Sequence, residues 1–132
     1  MDQLTDLDNV SIARIGPAIT EIRFHSGMKL TNAIIARVMR SPGRYGNGPK
    51  KVIVVFPEHI DFNAQVLLQD HHAANGMAGA QALAIVCNEF GLIPMLHLYF
   101  AYYPPNFVVK FCNNVEDARH WLTAWTGQRL AV

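Results

Sequence analysis

The chain has 132 residues, 51% hydrophobic and 16% charged, with a formal net charge of +1 and two cysteines. That length suits one domain able to bury a full core without metal or disulfide staples, and the composition excludes a disordered chain. Charged residues fall well below the roughly 25% of an average domain, so some apolar surface is expected to lie against another chain or a ligand.

The opening MDQLTDLDNV is acidic and has no basic stretch leading into an apolar run. It therefore reads as neither a signal nor a transit peptide, and a cytoplasmic location is expected, with residues 1–9 a loose extension. Val10, Ile12, Ile19, Ile22 and Phe24, on either side of Gly16-Pro17, alternate in the manner of a two-stranded hairpin. Ile34, Ile35, Val38 and Met39 then recur at helical spacing, with Thr31 as N-cap and Ser41-Pro42-Gly43 as a stop.

The run VIVVF, closing at Phe56, is continuously apolar and β-branched, as expected of a parallel strand buried on both faces. Asp61 can cap a second helix reaching about Asn75, and Ala82 to Cys87 gives another buried strand. Pro94 suits the first turn of a third helix ending before Pro104-Pro105, and Val108 to Cys112 is a last strand. The final helix has Asn113 or Asn114 as N-cap, Glu116 and Asp117 in its first turn, and Gly127 near its end. Its stripe of Val115, Ala118, Trp121, Leu122 and Trp125 should cover a sheet, leaving Glu116, Arg119 and His120 to solvent. The order ββαβαβαβα predicts an α/β domain with a mostly parallel five-stranded sheet and an N-terminal hairpin.

This order, together with the stretch VIVVFPEHIDFNAQVLL, resembles the SpoIIAA-like or STAS family of bacterial anti-sigma-factor antagonists. The resemblance implies a single βα-superhelical domain over residues 1–132, with Asp61 at the family's Asp. The next residue in that family is typically a Ser or Thr phosphorylated by a partner kinase. Phe62 stands there in this chain, so that phosphorylation is excluded.

Four groups of residues could carry function. Between Glu21 and Glu58 there is no acidic residue, whereas Arg23, Lys29, Arg37, Arg40, Arg44, Lys50 and Lys51 all fall there. Arg37, Arg40, Arg44, Lys50 and Lys51 form a candidate anion-facing patch, with Lys29 on the same side of a helical wheel. With Tyr45 the single aromatic nearby, nucleic-acid binding is not expected.

His59, Asp61, Asp70, His71 and His72 cluster in sequence, but adjacent His71 and His72 diverge by about 100° on a helix and cannot share a metal. Asp61, Phe62, Asp70 and His71 could instead line a ligand pocket, Asp70 falling on an apolar arc where its carboxylate needs donors. Tyr99, Phe100, Tyr102, Tyr103 and Phe107 are too many aromatics for one buried stripe and predict a partner surface. Cys87 and Cys112 lack zinc-site spacing and read as packed thiols, so no metal or cofactor is expected.

These features favour a non-enzymatic binding domain that contacts an unidentified protein partner and forms a homodimer. A carrier of a small apolar ligand or lipid, with its pocket near the third helix, comes second. A small enzyme using His59, Asp61 and His71 comes third.

Overall fold

The computed structural model describes residues 4–7, 10–16, 19–40, 51–62, 81–89, 91–105 and 107–125. The strands are β1 (Leu4–Leu7), β2 (Val10–Gly16), β3 (Ile19–Phe24), β4 (Lys29–Leu30), β5 (Lys51–Val55), β6 (Asp61–Phe62), β7 (Ala82–Val86) and β8 (Val108–Cys112). The helices are α1 (Asn32–Arg40), α2 (Leu92–Tyr102) and α3 (Val115–Ala124).

The β-branched run of β5 and the ALAIV of β7 lie side by side and parallel, register Ile53 to Ala84, at the centre of a mixed sheet ordered β1-β2-β3-β5-β7-β8. The pairs β3·β5, β5·β7 and β7·β8 are parallel, whereas β1·β2 and β2·β3 are antiparallel. All five expected strands are present. Residues 4–7 are not part of a loose extension but a sixth strand, because Leu4 to Leu7 pair with Ala13 to Val10 and cover what would otherwise be an open hydrogen-bonding edge of β2.

Alternation along each strand sends side chains to two cores, one on each face. Val10, Ile12, Ile22, Phe24, Val52, Leu83 and Ile85 face one core, completed by Val38 of α1 and Leu92 of α2. Ile19, Ile53, Ala82, Ala84, Val86 and Cys112 face the other, beneath Ala118 and Leu122 of α3. The small alanines of β7 let α3 approach the sheet closely.

Helix ends follow local chemistry. Thr31 Oγ1 accepts from the Ile34 amide at 3.2 Å, and Asn114 Oδ1 accepts from the Asp117 amide at 2.7 Å, the expected caps. α3 stops at Ala124, with extended Trp125 as C-cap, before the expected end near Gly127, which lies outside the described residues.

Two expectations on either side of this frame are corrected. Asp61 does not open a helix: with Phe62 it forms β6, parallel to β4, because the Asp61 amide donates to the Met28 carbonyl at 3.0 Å and the ladder pairs Lys29 with Asp61. Lys29 belongs to β4 and so is not on the face of α1. The rest of the expected second helix lies outside the described residues. Among the described residues, no helix is long and apolar enough to cross a membrane.

Ile53 is fully buried between α3 and the sheet. Ile53→Ala is expected to cost about 2–5 kcal/mol, as large-to-small changes in closed cores do. His120→Ala, on the exposed side of α3, is expected to stay within about 0.5 kcal/mol. Urea denaturation of the two variants checks the contrast.

Candidate functional site

The sequence of α2, LIPMLHLYFAY, contains no charged residue, an unusual composition for a helix that covers one face of a sheet and shows the other to water. Leu92 and Tyr99 are buried, and Ile93, Leu96 and Phe100 pack against the core below. The outer face is Pro94, His97, Leu98, Ala101 and Tyr102. Leu98, 49% exposed, and Tyr102, 73% exposed, lie one turn apart and are the exposed large hydrophobics among the described residues. The His97 ring stacks on Phe111 of β8 with centroids 4.1 Å apart, which carries this uncharged surface to the sheet edge. β8 is the terminal strand of the sheet among the described residues.

This arrangement divides the expected aromatic interface. Tyr99 is 7% exposed and Phe107 9%, so both belong to the core and neither is offered to a partner. Their burial follows from helix geometry: Tyr99 lies two turns beyond Leu92 on the sheet-facing stripe. Tyr99 also holds Phe100 edge-on at 5.2 Å and Tyr103 at 5.3 Å. Phe100 and Tyr103 are half-buried, and Tyr102 alone of the five stands free of the core. Leu98 lies outside the five aromatics expected at the surface, although its i, i+4 relation to Tyr102 puts the two on one stripe.

The carboxyl ends of the parallel strands, where open α/β sheets bind ligands, are stitched mainly by backbone. Gly27, at φ +81° where only glycine is unstrained, donates its amide to the His59 carbonyl at 2.8 Å. The Phe24 and Phe56 rings stack at 5.2 Å. His59 and Asp61 are exposed and Phe62 is half-buried. Asp70, His71 and His72 lie outside the described residues. Among the described residues, no three His, Cys, Asp or Glu side chains are grouped to hold a metal.

The basic patch also separates. Lys51 does not face an anion from outside: its Nζ donates to the carbonyls of Leu122 at 2.8 Å and Trp125 at 3.1 Å, and lies 5.9 Å from the Trp125 ring centre. A lysine there satisfies the open carbonyls and the negative dipole end of α3. Arg37 is exposed on α1. Arg40 closes the same helix, while Arg44 and Lys50 lie outside the described residues.

One feature was missed by reading charge along the chain. Glu21 of β3, with its side chain only 5% exposed, accepts from Arg23 Nε at 2.9 Å and from Arg119 Nε and Nη2 at 3.1 Å each. Arg119 of α3, expected to face solvent, thus clamps the helix to the sheet. The signal was the alternation Ile19, Glu21, Arg23, which puts a carboxylate on the face that α3 covers.

Comparison with family models, with curated proteins and with solved structures finds no match to this chain.

Burial pushes the thiol pKa of both cysteines up, and at Cys87 and Cys112 this outweighs the neighbouring groups that lower it. A raised pKa leaves less thiolate at any pH below it. Both thiols are therefore expected to react slowly with Ellman's reagent at pH 8 in the native protein and promptly after unfolding in guanidinium. Removing the Lys51 cap by Lys51→Ala should destabilise by about 1–2 kcal/mol, read by thermal unfolding.

Proposed function

We propose that this chain is a non-enzymatic binding domain of the SpoIIAA-like type, which works by protein-protein contact and self-associates through the outer face of α2. The observation that carries the reading is the pair Leu98 and Tyr102, exposed one turn apart on a helix with no charged side chain. Burying such a face desolvates no ion, so the penalty that usually opposes contact between surfaces is small. Tyrosine adds apolar area and a polar tip at low rotamer cost.

A stable interface needs roughly 800 Å² from each partner. Leu98 and Tyr102 supply its centre, and Pro94, His97 and Ala101 supply the surrounding contact that excludes water. A two-fold axis near Tyr102 would let each copy use the same patch, the arrangement of most homodimers. Support for the SpoIIAA-like reading comes from the sequential parallel order of β3, β5, β7 and β8, with helices on both faces and Asp61 following β5. Phe62 leaves the domain without the family's hydroxyl switch at that position, so association here is constitutive.

Sedimentation velocity tests the proposal. The wild-type protein is expected to sediment as a dimer at tens of micromolar. Tyr102→Asp and Leu98→Asp should each weaken association at least about 30-fold, the equivalent of a hot spot worth 2 kcal/mol. Neither change should disturb folding, because both side chains lie outside the cores. A wild type that stays monomeric at high micromolar concentration overturns the reading.

A further inference from the structure

On the opposite face of the sheet from α2, we infer that Arg23 and Arg119, both held by the buried carboxylate of Glu21, form with Ser11 and His25 a site for a phosphate group, free or as a monoester. The inference rests on three observations. First, Glu21 orients two guanidiniums from different elements, one on a strand and one on a helix, and each remains about half-exposed at 47% and 48%. Arg23 commits only Nε to Glu21, which leaves its two Nη groups as donors, and Arg119 keeps Nη1.

Second, the strand register brings further polar groups to the same face. Ser11 is the cross-strand partner of Arg23, so their side chains share that face. His25 follows β3 two residues beyond Arg23, and its Nε2 shares a 2.7 Å hydrogen bond with Ser11 Oγ. Ser11 and Arg23 thus face each other in the ladder, with His25 just beyond the end of β3 and Arg119 reaching Glu21 from α3.

Third, the donors come from several directions. A planar carboxylate engages one guanidinium fork, and Glu21 already fills that role for Arg119. Donors carried by three different elements, β2, β3 and α3, suit a tetrahedral dianion, and two arginines against one buried glutamate leave a surplus positive charge to meet it. β1 brings Asp6 into register with Ser11, one strand farther from Arg23, whereas Val55 is the neighbour of Arg23 on β5. The site therefore lies beside α3 on the β2·β3 part of the sheet, between the packed Val55 on one flank and the acidic outer strand on the other. None of these groups takes part in the contact proposed for α2.

The test is an NMR titration of the full chain at low ionic strength, where a half-exposed site is least screened. It follows the arginine Nε–H signals and the backbone amides of Ser11, Arg23 and Arg119. Inorganic phosphate and phenyl phosphate are expected to shift these signals saturably, with sodium acetate leaving them in place at equal ionic strength. Tighter binding of phenyl phosphate than of phosphate identifies a monoester as the ligand, and equal binding identifies the free ion. Either result supports the site. Arg23→Gln should weaken phosphate binding about tenfold or more while Glu21 keeps its two bonds to Arg119, so the fold is retained. Arg119→Gln should have the same effect on binding, and because it strips Glu21 of its bidentate partner, the decision rests on Arg23→Gln if that variant fails to fold. No saturable shift in the wild type, an equal response to acetate, or unchanged binding by Arg23→Gln overturns the inference.

Discussion

The described part of this molecule is arranged around two strands, β5 and β7, whose central residues water does not reach from either face. β5 and β7 contribute Val52 and Leu83 to one core and Ile53, Ala82 and Ala84 to the other, and all five are at most 5% exposed. A strand in that position has no solvent to accept its peptide groups, so both of its edges must be paired. β3 and β8 do this from outside, both parallel to the central pair. Parallel neighbours need crossovers over a face of the sheet: α1 and α2, which make two of them, close one core, and α3, which follows the last strand, closes the other. The same parallelism collects the ends of β3, β5, β7 and β8 at one rim, where the β4·β6 ladder and the Gly27 turn join two of the connections.

Much of this frame was legible because it depends on periodicity. Continuous β-branched runs, alternation in β2 and β3, and the capped stripe of α3 identify five strands and three helices nearly at their observed bounds. What was not legible depends on pairing across the fold. Leu4 to Leu7 carry no strong strand signal and become β1 only because β2 offers an edge. Asp61 has the chemistry of a helix cap, yet the ladder that pairs it with Lys29 and Phe62 with Leu30 outweighs it. In the aromatic run, counting rings showed that some must be exposed. Which ones depends on how α2 is rotated on the sheet, and that rotation buries Tyr99 and presents Leu98 with Tyr102.

Charge is the other property that sequence order conceals. Lys51 and Arg23 belong to the same acid-free stretch, yet their environments differ completely. Lys51 is drawn to the carboxyl end of α3 and Arg23 to Glu21, and Arg119, on α3 itself, joins the latter. α3 is therefore fixed to the sheet at two separated points, by a lysine at its last turn and by a bidentate arginine midway, in addition to Ala118 and Leu122 beneath it. Salt bridges between fully exposed groups are worth little. Glu21 differs because its carboxylate is buried, and losing its partners would strand a charge in the low-dielectric interior. The cluster thus has a structural role whatever else its outward donors do.

The two faces of the sheet consequently present opposite chemistries. On one, α2 shows a surface without ions, where contact costs little desolvation and any specificity comes from shape. On the other, Arg23 and Arg119 are held rigid by a buried acid and keep donors in water, where affinity for an anion depends on charge and falls with salt. Because β5 and β7 separate these faces, occupation of one does not sterically block the other. A dimer formed through α2 would carry two such arginine pairs on the faces turned away from the contact, so self-association and anion binding would be independent unless the sheet itself shifts. The close-packed alanines of β7 under α3 leave little room for such a shift, which makes additive behaviour of the two surfaces the physical expectation.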